Sequence, residues 1–119
     1  ALGSAAPHIR AGKVKAIAVT SPKRSPSFPD IPTAQEQGLA GFDVTSWYGL
    51  WVPAGTSPAI VQKLHAAVVK SFEDPDLRKL WFELGADVGG MPPAEFREFV
   101  SRDVVKWAKV VRDAKIVVE

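Results

Sequence analysis

From Ser46 to Pro58 the chain reads Ser-Trp-Tyr-Gly-Leu-Trp-Val-Pro-Ala-Gly-Thr-Ser-Pro, and it carries two of the four Trp residues and the only Tyr. In an extended backbone Trp47, Gly49 and Trp51 share one side, and Tyr48, Leu50 and Val52 share the other. Both sides are apolar, which predicts a strand covered on both faces, between helical layers. Pro53 ends it because proline has no N–H for a ladder. Ser57 and Pro58 are an N-cap and first-turn pair, so a helix follows. Two readings stay open for the stretch. It is a central core strand, or it is a strand crossing a cleft with Ser46, Trp47 and Tyr48 beside a ligand, where aromatics with polar tips serve well.

Upstream, Ala5 to Ala11 reads as the end of a helix with Pro7 near its first turn and Gly12 as left-handed cap. Lys13 to Thr20 alternates into apolar residues on both faces and predicts an interior strand. Thr20 and Ser21 then fall just past a strand end, where ligands of α/β sheets gather; the competing reading is a polar turn before Pro22. Residues 21–32 hold Pro22, Pro26, Pro29 and Pro32, an extended and stiff loop. Thr33 and Glu36 have capping-box spacing, which predicts one short helix ending at Gly38.

Downstream the pattern turns helical. Ile60, Val61, Leu64, Ala67, Val68 and Phe72 recur at helical spacing over 58–72, with His65 on the outer side. Asp74-Pro75 restarts a helix whose buried stripe is Leu77, Leu80, Trp81 and Leu84, ended by Gly85. Residues 86–88 read as a short strand or an extended link. Pro92 and Pro93 open a last helix, about 93–113, with Phe96, Phe99, Val100, Val104, Trp107 and Val111 inward and Lys106 on the solvated side. Residues 116–118 read as a short terminal strand or a frayed end.

Composition excludes several functions. The 119 residues make one modest domain, and 15 basic against 13 acidic residues give a net charge of +2. No basic run exceeds Lys23-Arg24, so nucleic acid is not an expected partner. The absence of Cys removes disulfides and thiolate chemistry. His8 and His65 have no second ligand at helical spacing, so no metal site is expected. No nucleophile elbow or phosphate loop is present, and no cofactor is implied. Catalysis therefore has no motif behind it. The sequence has no initiating Met and opens with no basic-then-apolar leader, so its start is expected to be processed, engineered or cut.

The order of short motifs is more specific than any one of them. Pro7-His8-Ile9-Arg10-Ala11-Gly12-Lys13-Val14-Lys15-Ala16-Ile17-Ala18-Val19-Thr20-Ser21 is followed by Arg24-Ser25-Pro26, Phe28-Pro29-Asp30-Ile31-Pro32-Thr33, Gly38-Leu39 and Trp47 to Thr56. Leu84-Gly85-Ala86 and Pro93-Ala94-Glu95-Phe96 come after these. This set resembles the C-terminal part of the tripartite tricarboxylate transporter substrate-binding proteins, the Bug-type receptors. Met91, before Pro92-Pro93, departs from the small polar cap usual there. The resemblance implies an α/β fold, part of a two-lobed, type II-like periplasmic-binding-protein architecture that closes like a Venus flytrap. Strands come first and a helix-rich half follows. It implies that residues 1–45 are a remnant of the second lobe plus a hinge segment, and that 46–119 are the crossing strand and helices of the first lobe. The implied function is non-enzymatic, periplasmic binding of a small mono- or dicarboxylate that is handed to a membrane permease. Thr20, Ser21, Ser46, Trp47 and Tyr48 are the candidate ligand-binding residues. A C-terminal fragment of such a receptor would leave strand edges and apolar faces uncovered, so self-association is expected. A self-contained α/β interaction module is the alternative.

Overall fold

Proline, aspartate and glycine punctuate the chain into helices, and the computed structural model, which describes residues 2–117, follows that punctuation closely. The described residues form α1 (Leu2–Arg10), α2 (Pro58–Ser71), α3 (Pro75–Glu83) and α4 (Pro93–Asp113). Asp74 caps α3 by accepting from the backbone N–H groups of Asp76 at 2.9 Å and Leu77 at 3.0 Å. Ser57 occupies the N-cap position of α2, but its side chain makes no capping bond. Pro7 lies inside α1 rather than near its start. Gly12, at φ 66°, ends α1 as expected, with its N–H bonded to the Ile9 carbonyl and that of Lys13 to the His8 carbonyl.

The expected strands are not formed. Among the described residues the only β pairing is one parallel bridge, Val19 to Thr33. There Val19 N–H donates to the Pro32 carbonyl at 2.9 Å and Ala34 N–H to the Val19 carbonyl at 2.8 Å. Residues 15–18 and 42–52 run without a ladder, and residues 86–88 are the link rather than the strand of the two readings. The physical reason is that a strand is a shared state. An apolar, β-branched run can be straight by itself, but it becomes a strand only when a neighbour takes its N–H and C=O groups. Residues 116–117 likewise form no strand, and Val118 lies outside the described residues. The capping box at Thr33 is made, with Glu36 N–H donating to Thr33 Oγ1 at 3.1 Å and Thr33 N–H to Glu36 Oε2 at 2.6 Å. The expected helix beyond it is a single turn, residues 34–38.

The core is thin. Among the described residues Ala6, Val19 and Ala34 are the buried apolar side chains, and Thr33 is the buried polar one. The radius of gyration is 17.1 Å, against roughly 13.5 Å for a compact chain of this length. The accessible surface is 9390 Å², against roughly 6,300 Å² for a compact monomer of this mass. Apolar residues expected to be inside are exposed, including Ile17 at 78%. The same is true of Ile60 and Leu64 on α2, Leu80 on α3 and Leu84 at its C-cap, and Val104, Trp107 and Val111 on α4. Their helices have apolar stripes with little to face.

Four small sets of contacts hold the elements. The C-terminal end of α3 receives Arg10, which donates to the Glu83 carbonyl at 2.5 Å, and Ser27, whose hydroxyl donates to the Phe82 carbonyl at 2.6 Å. Phe72 meets Trp81 edge-on at 6.4 Å between ring centres, closing the corner from α2 to α3. His65 is half-buried rather than outward, with Nε2 at 3.1 Å from the Gly90 carbonyl, so it ties α2 to the loop before α4. The fourth joins the Trp47 segment to α4.

Candidate functional site

Helical spacing on α4 places Phe96, Phe99, Asp103 and Lys106 along one side. That side, rather than one running through Val104 and Val111, receives the Trp47 segment. Trp47 lies edge-on to Phe96 at 5.6 Å and to Phe99 at 5.3 Å, and Trp51 lies 5.6 Å from Phe96. The Trp47 indole N–H donates to Asp103 Oδ2 at 3.0 Å. Lys106 donates to the Asp43 carbonyl at 2.5 Å. Asp103 and Lys106 were not singled out from sequence, because charged residues read as the solvated side. The available signal was their position, seven and ten residues after Phe96.

The expected two-sided cover is therefore one-sided in this chain. Trp47 and Gly49 turn towards α4, while Tyr48 is 82% and Leu50 is 78% exposed. Trp51 stays 66% exposed although its ring meets Phe96. The N–H groups of residues 45–52 find no acceptor among the described residues.

Thr20 brings the other candidate loop to this segment. Its hydroxyl donates to the Val44 carbonyl at 2.7 Å, and Val44 N–H donates back to the Thr20 carbonyl at 3.0 Å. Thr20 and Ser21 thus lie alongside the chain entering Ser46. The Ser21 hydroxyl donates to the Lys23 carbonyl at 2.7 Å, closing its own turn. Ser46 and Tyr48 are exposed, whereas Trp47 is half-buried with its N–H committed to Asp103. The Thr20–Val44 pair sets Thr20 and Ser21 beside the start of the segment, two residues before Ser46, while Trp47 is fastened to Asp103. With the Thr20 and Ser21 hydroxyls donated to carbonyls, what this arrangement offers a carboxylate is the exposed Ser46 hydroxyl and the unpaired backbone N–H groups of residues 45–52. Among the described residues no group of acidic or His side chains could hold a metal ion. No described helix is long and apolar enough to cross a membrane.

The loop leading into this neighbourhood is locked by Arg24. Its Nε donates to both Glu36 oxygens, at 3.1 and 3.0 Å, and its Nη1 donates to the Pro29 carbonyl at 3.0 Å. The Arg24 hydrogen bond, then the Thr33 N–H, holds the Glu36 carboxyl down to about 2. A lowered folded pKa stabilises the loop at pH values above the unfolded carboxylate range. That contribution fades as pH falls from about 4.5 towards about 2. We expect amide exchange at Thr33 and Glu36 to accelerate across that window in the wild-type chain. In Glu36→Gln it should be fast throughout and independent of pH in the same range, after correction for intrinsic exchange.

Comparison with known proteins places this geometry in a class, the periplasmic binding proteins. BugD, a periplasmic binding protein, superposes with a TM-score of 0.81 at 38% identity over 94% of this chain and 38% of BugD. MatC from Rhodopseudomonas palustris, solved with malate, gives 0.80 at 40% identity over 92% of this chain and 38% of MatC. Rpa4515 from R. palustris, solved with adipate, gives 0.83 at 31% identity over 98% of this chain and 39% of that protein. The model of the tripartite tricarboxylate transporter family receptor matches residues 1–116, and the chain belongs to that family. It spans about a third of a curated relative from Pseudomonas sp. (strain P51), covering 33% of that protein at 32% identity.

Proposed function

We propose that the chain is part of an extracytoplasmic receptor that binds a small mono- or dicarboxylate for a tripartite tricarboxylate-type transporter, without altering it. The observation that carries this reading is the paired Thr20–Val44 bonding. It sets the Thr20 turn beside the entry to Ser46 and to a segment whose N–H groups are unpaired among the described residues. Carboxylate oxygens accept from such donors, and several short N–H bonds can hold one charge without a cation. Malate in MatC and adipate in Rpa4515 give the class of ligand. In this reading residues 1–45 serve the second lobe and hinge, and 46–119 the first lobe. Ligand shifts the pair of lobes from open to closed populations. The receptor works in the periplasm and delivers its ligand to a membrane permease. The chain is then a C-terminal portion with an incomplete cleft.

Calorimetric titration with malate and adipate tests this reading, on the 119-residue chain and on a full-length receptor carrying it. Binding by the longer receptor alone is the expected result. Binding by neither contradicts the reading and favours a self-contained interaction module. That alternative is weakened by the large accessible surface and the thin core. The same surface supports self-association of the isolated chain. Light scattering at micromolar concentration is expected to show species larger than 12.8 kDa; a monodisperse monomer contradicts it.

A further inference from the structure

Three consecutive carbonyls, those of Phe42, Asp43 and Val44, are each taken by a side chain from a different part of the chain. Gln35, in the turn after the capping box, donates its amide to Phe42 at 3.1 Å. Lys106 of α4 donates its ammonium to Asp43 at 2.5 Å. The Thr20 hydroxyl donates to Val44 at 2.7 Å, and Val44 N–H returns a bond to the Thr20 carbonyl at 3.0 Å. Water can satisfy a carbonyl in an extended segment at the surface. Here three side chains are ordered instead, each at a cost in rotamer freedom. The same side of α4 makes a second hold one turn earlier, where Asp103 accepts the Trp47 indole N–H at 3.0 Å. Gln35 and Thr20 thus grip residues 42 and 44 from one direction, and α4 grips residues 43 and 47.

We infer that Gln35 and Lys106 are positioning residues: with Thr20 they pin residues 42–44 to α4, and so set how residues 1–45 stand relative to residues 46–119. This rests on the receptor reading above, in which those two parts serve different lobes. Gln35 and Lys106 lie outside the candidate ligand-binding set, so they act on binding only through the arrangement of the lobes. Lys106 is the stronger hold, because a charged donor makes the tighter hydrogen bond. A ligand that closes the lobes must order whatever the pin leaves loose, and a pin already made spares it that entropy. The C-terminal end of α3 also joins the two parts, through Arg10 and Ser27 on the Glu83 and Phe82 carbonyls. That contact is the rival holder of the arrangement, and the test separates the two.

The chain has no Cys, so two spin labels can be placed at will. Lys13→Cys and Arg97→Cys put one on each part, at exposed positions. Label-to-label distances are measured on the 119-residue chain, diluted in an excess of unlabelled chain so that only distances within one molecule are read. One narrow distance is expected in the parent. Lys106→Met keeps the stem and the helix propensity but cannot donate, and it is expected to move about a tenth or more of the molecules to a second distance. Lys106→Arg should restore the single distance. Gln35→Glu, which sets an acceptor against the Phe42 carbonyl, should act as Lys106→Met does. Lys109→Met, on the same helix but paired with Asp113 instead, should leave the distance unchanged. These distances need no ligand, so their outcome is separate from whether the receptor binds a carboxylate. On a full-length receptor carrying the chain and binding malate, Lys106→Met is expected to weaken binding by about 3-fold or more, and Lys106→Arg to restore it. The inference is overturned by a single distance in both Lys106→Met and Gln35→Glu, which would assign the arrangement to the α3 contact, by an equal second distance in Lys109→Met, or by unchanged malate affinity in Lys106→Met.

Discussion

Trp47→Ala is expected to cost about 3 kcal/mol, the lower end for removing a large aromatic, because the ring is half-buried rather than enclosed. The loss has two parts. The ring leaves the edge-on packing against Phe96 and Phe99, and Asp103 loses the indole N–H it accepts. In a chain with this thin a core, that is a large share of total stability. Urea unfolding followed by the remaining tryptophans measures it. The expected result is a lower midpoint and loss of the near-ultraviolet dichroism of the edge-on ring cluster. Asp103→Asn keeps an acceptor for the indole and should cost about 0.5 kcal/mol or less, whereas Asp103→Leu removes it and should cost about 1–3 kcal/mol. Equal effects of the two changes would show that the hydrogen bond contributes nothing.

Gly49→Ala is the second large effect, and it acts through crowding rather than loss. A Cβ built at Gly49 would collide with the Phe96 ring tip and would lie 2.7 Å from the Trp51 ring. Both neighbours are aromatic, and Phe96 is wedged between Trp47 and Trp51. The segment must therefore lift from α4 or push a ring off its rotamer, at a cost of about 1–3 kcal/mol. Gly55→Ala is the useful contrast, because nothing lies within 4 Å of its Cβ position and its cost arises from a φ of 85° alone. Amide exchange along α4 should rise in Gly49→Ala near Phe96 and Phe99, and remain unchanged there in Gly55→Ala.

These two effects show what could be read from residue order. Helix ends were legible because each carries local chemistry: Pro58, Asp74-Pro75, Gly85 and Pro93 act within one turn of themselves. The Thr33–Glu36 box was legible for the same reason. The strands were not, because alternation in 46–52 reports what a segment needs on both faces and says nothing about whether its neighbours are present. Phe96 and Phe99 were read correctly as the inward side of α4, but Lys106 was read as solvated although its ammonium reaches the Asp43 carbonyl, and Asp103 was not singled out. Of the candidate site, Thr20 and the Trp47 segment were each visible in sequence; that they meet through Val44 depends on a tertiary path across the proline loop, which no local pattern encodes.

The Trp47 segment is fastened to α4 by one face and, among the described residues, open along its backbone. Residue-resolved hydrogen exchange on the dilute chain tests that most directly. The account predicts rapid exchange at the amides of residues 45–52 beside slow exchange at Phe99 to Asp103. Slow exchange at residues 45–52 in a monomer would mean that the edge is already paired within the chain, and would contradict it.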